Sequence, residues 1–161
     1  MESLSVLMVC MGNICRSPTA EGVLRHLLQA QQLDTQVRVD SAGTHAYHVG
    51  EAPDTRSQIA ARQRGIELSG LRARLVVADD FKRFDYVLAM DESNLRHLLQ
   101  LAGRGYQQEK VRLLLDFAPQ LGLREVPDPY YGGAAGFERV LDLVEAASLG
   151  FIEHIRRQHL R

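Results

Sequence analysis

Four short apolar runs along the chain predict β-strands. Val6–Val9 is continuously apolar, as is typical of a strand that is covered on both faces. The other predicted strands are Val37–Val39, Tyr86–Met90 and Val111–Leu114. Each run is short enough for a strand and is followed by a longer amphipathic segment.

The segments between these runs show the apolar repeat of helices. Pro18 opens the first helical pattern, and Gly65 ends another over Ser57–Arg64. Asp91 is a good N-cap for a third helix, and the clearest apolar stripe is Phe137–Ile155. Because strands alternate with helices, the pattern predicts an α/β fold with a parallel sheet and helices on both faces.

The composition fits a single globular domain over residues 1–161, with 45% hydrophobic residues. Lys plus Arg is 19 and Asp plus Glu is 20, for a net charge of -1, so we expect neither a nucleic acid nor a membrane partner. No apolar run reaches the roughly 18 residues of a membrane helix. The first residues lack the cationic start of a secretory signal, so we expect a cytoplasmic protein.

The loop after the first strand carries the densest chemistry. From Cys10 to Pro18 it reads CMGNICRSP. Gly12 and Asn13 tolerate left-handed backbone angles, so the chain can curl there. A curled loop that runs into a helix directs several N–H groups and the positive helix end at one point, where phosphate can bind.

Arg16 and Cys10 would complete such an anion site. The Arg16 guanidinium can bind two phosphate oxygens as a fork. The Cys10 thiol in the same field would ionise and become a nucleophile towards phosphorus, and the Ser17 hydroxyl can stabilise the sulfur. Taken singly, these residues suggest only a buried cysteine, a surface charge and a helix cap, but their combination is far rarer.

Asp128 is the candidate acid. Pro127 and Pro129 stiffen its backbone and exclude a helix there. A carboxylic acid held in this way can protonate a departing phenolate and later activate water. The alternative is an ordinary turn aspartate. Tyr130 and Tyr131 follow and would suit a flat phenyl group.

Four segments resemble the low-molecular-weight protein tyrosine phosphatase family, in the same chain order and over essentially the whole chain: Val9–Pro18, Ser41–Thr44, Met90–Leu95 and Pro127–Tyr131. The resemblance implies a doubly wound, four-stranded sheet in the order 2-1-3-4. It also implies hydrolysis of phosphotyrosyl proteins and small aryl phosphates through a phosphocysteine intermediate.

The resemblance assigns roles to the site residues. Cys10 would be the nucleophile, Arg16 would hold the phosphoryl oxygens, and Asp128 would serve as acid and then base. The family's variable aromatic would be Tyr47, with His48 beside it. The implied substrate-binding set consists of Met11, Gly12, Asn13, Ile14, Cys15, Ser17, Tyr47, Tyr130 and Tyr131.

Supporting roles also follow from the resemblance. Asp91 would be structural, Ser41 would donate a hydrogen bond to Asn13, and Cys15 would be able to form a reversible disulfide with Cys10. No metal or organic cofactor is expected, and phosphate or another oxyanion should occupy the site. The expected partner is a phosphotyrosyl protein. The bacterial branch implies regulation of a tyrosine kinase, and a housekeeping role stays open.

Four other protein classes share single features of this pattern. Thioredoxin-linked arsenate reductases need further cysteines, and none follows Cys15. Protein arginine phosphatases carry threonine where this chain has Ile14. A zinc module could use Cys10, Cys15, His45 and His48, although the spacing is unusual. A phosphopeptide-binding module without catalysis would not need the complete set of thiol, guanidinium and acid.

Overall fold

Strands and helices alternate along the chain in the structure, a computed structural model that describes residues 3–130 and 132–160. The strands are β1 (Leu4–Cys10), β2 (Val37–Gly43), β3 (Tyr86–Ala89) and β4 (Val111–Leu113). The α-helices are α1 (Arg16–Ala30), α2 (Thr55–Arg62), α3 (Asp80–Arg83), α4 (Glu92–Ala102) and α5 (Ala134–Gln158). Short 3-10 turns cover Tyr106–Lys110, Leu114–Phe117 and Pro119–Leu121.

The four strands form one parallel sheet in the order β2-β1-β3-β4. This confirms the α/β class and the strand order that the sequence and its resemblance implied. β1 pairs with β2 on one side and with β3 on the other, so successive connections diverge at its carboxyl end. In sheets of this kind a ligand binds at that point, which is where β1 ends at Cys10.

Two apolar layers cover the two faces of the sheet. On one face, Val6 and Met8 of β1 pack with buried residues of α1 and α5. On the other, Leu7 and Val9 pack with Phe81 of α3 and the buried side of α4. Every residue of β1 is buried, which explains its continuous apolar run. Helices therefore lie on both faces, as predicted.

The helix α5 is the longest element, with 25 residues. Its apolar stripe is buried against the sheet side, and charged residues occupy the rest of its surface. No helix among the described residues combines the length and the apolar character that crossing a lipid bilayer requires.

Element boundaries differ from the sequence prediction where local signals are weak. β2 continues to Gly43 because Ser41–Gly43 pairs with Met8–Cys10, although its small side chains give no apolar pattern. The helix α1 begins at Arg16, so Pro18 is its third residue, where the missing N–H is not needed for helical hydrogen bonding. The helix α2 begins at Thr55 because Asp54 caps it.

Candidate active site

The loop between β1 and α1 closes over the end of β1. Asn13 has a φ of 59°, a left-handed angle that asparagine tolerates better than most residues. The Thr44 N–H donates to the carbonyl of Cys10 at 2.9 Å and ties the start of the loop to the chain after β2. The predicted curl is therefore present, and residues 10–17 are called the cysteine loop below.

The sulfur of Cys10 lies on the floor of the cysteine loop, and the residue is 2% exposed. The backbone N–H of Asn13 donates to the sulfur at 3.3 Å, and the hydroxyl of Ser17 lies 3.0 Å from it. The N-terminal end of α1, which begins at Arg16, adds partial positive charge. All three features place hydrogen-bond donors or partial positive charge beside the sulfur.

The side-chain amide of Asn13 is oriented by its partners. Its Oδ1 accepts the backbone N–H of Arg74 at 3.0 Å. Its Nδ2 must then donate, and it does so to Ser17 Oγ at 2.8 Å and to Ser41 Oγ at 3.0 Å. The sequence prediction that Ser41 contacts Asn13 is right, but its direction is wrong, because Ser41 accepts this bond.

Behind Ser41 lies Glu21, a buried carboxyl on α1. The Ser41 hydroxyl donates to Glu21 Oε1 at 2.6 Å, and Arg25 pairs with Oε2 at 2.6 Å. Burial raises the pKa of Glu21, and the hydrogen bond from Ser41 and the charge of Arg25 partly offset this rise.

Glu21 sets the direction of the side-chain hydrogen bonds between Ser41, Asn13 and Ser17. Ser41 gives its one proton to Glu21, so it must accept from Asn13. Ser17 also accepts from Asn13, which leaves its own proton free. Two acceptors lie within reach of that proton: the sulfur of Cys10 at 3.0 Å and, farther away, the carbonyl oxygen of Ala42 at 3.4 Å. The shorter distance favours donation from the Ser17 hydroxyl to the sulfur.

The Arg16 side chain, near the end of the cysteine loop, is buried. Its Nη1 donates to Asp91 Oδ2 at 2.7 Å and to the carbonyl of Val126 at 3.1 Å, and its Nη2 lies 3.8 Å from Asp128 Oδ2. Burial alone would lower the pKa of Arg16, but the Cys10 sulfur and the two carboxylates outweigh it, and the pKa is raised. The guanidinium therefore stays charged.

Asp128 lies at the mouth of the site, with its side chain 36% exposed. Its loop is tied to the chain directly after β3, since the Val126 N–H donates to the carbonyl of Met90 at 2.8 Å. The Tyr130 N–H donates to Asp128 Oδ1 at 3.1 Å, which fixes the orientation of the carboxyl. The other oxygen, Oδ2, faces Arg16 and the interior of the site.

The two thiols differ in their surroundings. Both are buried and free. Burial, reinforced by the negative charge of Asp54, raises the pKa of Cys15 to about 12. Cys15 therefore remains a protonated thiol at neutral pH, and only Cys10 has donors of the cysteine loop directed at its sulfur. The regulatory Cys10–Cys15 disulfide stays a prediction.

A cavity of about 280 Å³ joins these parts, and it is lined by Cys10, Met11, Gly12, Ile14, Cys15, Arg16, Tyr47, His48, Asp128 and Tyr130. Most of the predicted site residues thus come together. Asn13 and Ser17 are not among the lining residues and support Cys10 by their hydrogen bonds. Tyr131 lies outside the described residues.

The aromatic walls of the cavity are unequal. Tyr130 is 37% exposed, whereas Tyr47 is 71% exposed and stacks on His45 at a centroid distance of 5.2 Å. Tyr47 therefore stands at the outer rim. The ring of His48 lies closer to the cysteine loop. It is in contact range of Gly12, because a Cβ atom added to Gly12 would lie 3.0 Å from the ring.

Comparison with known proteins agrees with this geometry. The sequence model of the family described as "Low molecular weight phosphotyrosine protein phosphatase" matches residues 5–161. The chain belongs to the low molecular weight phosphotyrosine protein phosphatase family. The Streptomyces coelicolor low molecular weight protein-tyrosine-phosphatase is 44% identical over 155 residues, which cover 95% of this chain and 94% of the relative. The prediction of a phosphatase, a hydrolase, is thereby confirmed.

Solved structures of relatives share the whole fold. A protein tyrosine phosphatase from Entamoeba histolytica, solved with Hepes in its active site, matches with a TM-score of 0.93 and 40% identity, covering 97% of this chain and 99% of that one. The Drosophila arginine phosphatase matches with a TM-score of 0.85 and 34% identity, covering 94% and 97%. The fold alone therefore does not separate phosphotyrosine from phosphoarginine as the substrate.

The zinc site considered as an alternative does not assemble in this phosphatase. Within residues 3–130 and 132–160, no three Cys, His, Asp or Glu side chains are grouped so as to hold a metal ion. His45 instead bonds to Thr44 and His48 pairs with Glu51. The four proposed ligands have separate partners.

Asp91 and Glu21 contribute more to the site than their sequence context suggested. Asp91 caps α4 with one oxygen, as predicted, and pairs with Arg16 through the other. A signal for this pairing existed, because Asp91 closely follows β3, and the carboxyl ends of adjacent parallel strands lie at one edge of the sheet. Glu21 lies among apolar residues of α1, and nothing local marks its contact with Ser41.

Gly43 offers a test of how closely β2 supports the cysteine loop. A Cβ atom there would lie 2.8 Å from the carbonyl oxygen of Met11 and 3.2 Å from Cβ of Asn13. Gly43→Ala should therefore shift the loop, destabilise the phosphatase by about 1–3 kcal/mol and lower kcat/KM. Thermal unfolding and turnover of p-nitrophenyl phosphate would measure both effects.

Gly70→Ala is the matched control, because no atom lies within 4 Å of its added Cβ. It should leave both quantities unchanged. Equal behaviour of the two variants would show that Gly43 does not constrain the loop.

Proposed function

We propose that this phosphatase hydrolyses phosphotyrosyl proteins and small aryl phosphates through a phosphocysteine intermediate on Cys10. The observation that carries the proposal is the position of the Cys10 sulfur, which lies in one cavity with the charged Arg16 and the carboxyl of Asp128. Oxyanion binding in the Entamoeba relative supports it, because Hepes carries a sulfonate group.

In the first step, the Cys10 sulfur attacks phosphorus and the bond to the phenolic oxygen breaks. Arg16 and the backbone N–H groups of residues 11–15 would hold the other three oxygens, where charge is spread in the transition state. For this, Arg16 has to turn a donor towards the cavity, and its Nη2 already lies on the Asp128 side. The departing phenolate takes the proton of Asp128.

In the second step, water attacks the phosphocysteine and inorganic phosphate leaves. Asp128, now ionised, accepts the proton of the water. The sulfur departs as a thiolate, and the Ser17 hydroxyl and the Asn13 N–H stabilise it there. The hydrogen-bond network that ends at Glu21 would thus act on the leaving group of this step.

The walls of the cavity favour an aryl phosphate. Ile14 and Tyr130 provide apolar and aromatic contact for a phenyl ring. Phosphoserine lacks the ring and is too short to use these walls while its phosphate reaches Cys10. We therefore propose phosphotyrosine as the preferred substrate, with the tyrosine kinase partner and the cytoplasmic location still predictions from the sequence.

Turnover of matched phosphotyrosine, phosphoserine and phosphoarginine peptides tests this proposal. The phosphotyrosine peptide should give the highest kcat/KM, by about 10²-fold or more over either of the others. Preference for the phosphoarginine peptide would replace the proposal with the activity named for the Drosophila relative.

A further inference from the structure

Arg56 lies at the start of α2 and is not among the residues that line the cavity. Its guanidinium is held by the carboxylate of Asp54 as a fork, with Nε 3.1 Å from Oδ1 and Nη2 2.9 Å from Oδ2. The backbone N–H of Arg56 also donates to Asp54 Oδ1 at 2.8 Å. The two guanidinium bonds orient this otherwise flexible side chain, and the backbone bond holds the carboxylate in place beside it.

The partner of Arg56 is attached to the cysteine loop. The backbone N–H of Asp54 donates to the carbonyl of Ile14 at 2.8 Å. Ile14 lines the cavity, so this hydrogen bond holds the N-terminal end of α2 against the cysteine loop. The hydrogen bonds from Arg56 lower the pKa of Asp54, which keeps this carboxylate charged.

The guanidinium of Arg56 also contacts two aromatic rings. Its Cζ lies 5.4 Å from the centroid of Tyr130 and 4.7 Å from that of Phe137, a buried residue near the start of α5. Both distances are in the range of cation–π attraction. Tyr130 is the inner aromatic wall of the cavity, and its N–H orients Asp128.

We propose that Arg56 is a positioning residue that holds the Tyr130 wall at a fixed distance from the cysteine loop and thereby sets the affinity for the aryl group of the substrate. The proposal rests on the proposed function. Arg56 links Ile14, through Asp54, to the ring of Tyr130, which also lines the cavity. The phosphoryl group is held by the loop itself, so Arg56 acts on the ring of the substrate and not on its phosphate.

Arg56→Met tests this role, because methionine keeps much of the apolar stem and loses both the fork and the charge. KM for a phosphotyrosine peptide should rise about threefold to tenfold, with a smaller change in kcat. The inhibition constant of inorganic phosphate should stay within about twofold, because phosphate contacts only the cysteine loop. Arg56→Lys keeps the charge but not the fork, so its KM should lie between those of the unmodified enzyme and Arg56→Met.

Two further variants make the test specific. Arg62→Met is the matched control, since Arg62 lies on the same helix, is exposed and pairs with Glu67. It should leave KM unchanged. In a Tyr130→Leu background, Arg56→Met should have no further effect on KM, because the wall it positions is gone.

The outcomes separate this proposal from the proposed function. A rise in KM that persists in the Tyr130→Leu background would mean that Arg56 does not act through the wall. An equal rise in the phosphate inhibition constant would assign it to the cysteine loop, and no rise at all would remove it from the site. Absence of turnover in the unmodified enzyme would instead count against the proposed function.

Discussion

Replacing Cys10 with serine should leave a folded protein whose turnover of p-nitrophenyl phosphate is lower by about 10⁴-fold or more. The serine hydroxyl fits the space of the buried sulfur between Ser17 and Asn13. It stays protonated at neutral pH, so it lacks the negative charge that the surrounding donors stabilise and is a poor nucleophile. Steady-state kinetics measure the loss, and thermal unfolding shows whether the fold is kept.

Cys15→Ser is the comparison for this variant. Cys15 lines the same cavity, but its pKa of about 12 keeps it protonated. Its replacement should cost less than about tenfold in kcat, a local packing effect. A loss with Cys15→Ser that matches or exceeds the loss with Cys10→Ser would move the nucleophile to Cys15.

Asp128→Ala should reduce the rate of hydrolysis, and the reduction should be larger for substrates whose leaving phenol has a higher pKa. Hydrolysis of phenyl phosphate should fall by about 10²–10⁴-fold, the usual contribution of a general acid. Hydrolysis of p-nitrophenyl phosphate should fall much less, because p-nitrophenolate departs readily without a proton. A series of substituted aryl phosphates measures this, with the logarithm of kcat/KM plotted against the pKa of the leaving phenol.

The expected slope is near zero for the unmodified enzyme and clearly negative for Asp128→Ala. Asp116→Ala, at an exposed carboxylate in the Leu114–Phe117 turn, should keep the slope of the unmodified enzyme. Parallel lines for Asp128→Ala and the unmodified enzyme would show that Asp128 does not protonate the leaving group.

The parts of the site that lie close together in the sequence were predictable. Cys10, Asn13, Arg16 and Ser17 fall within eight residues between an apolar strand and a helix, so local chain geometry determines most of their arrangement. The same holds for β1 and α5, whose continuous run and apolar stripe follow directly from burial. The predicted runs, Val6–Val9 and Phe137–Ile155, lie inside the observed β1 and α5, whose ends extend beyond the apolar pattern.

Contacts across the fold were not predictable in the same way. The bond between Arg16 and Asp91 joins residues 75 positions apart, and the bond between Ser41 and Glu21 joins residues 20 positions apart. Both depend on the order in which the strands pair. The resemblance implied that Tyr47 is the variable aromatic of the site, but its exposure depends on how the 44–50 segment packs, which the sequence does not show.

A covalent phosphoryl group on Cys10 is the central claim, and trapping that group tests it most directly. Asp128→Ala should slow hydrolysis of the phosphocysteine, so rapid acid quenching during turnover of p-nitrophenyl phosphate should catch it. Mass spectrometry of the trypsin-digested protein is expected to find one phosphoryl group on the peptide of residues 1–16, lost in Cys10→Ser and kept in Cys15→Ser. A phosphoryl group that survives in Cys10→Ser, or turnover in that variant at the unmodified rate, would contradict the account.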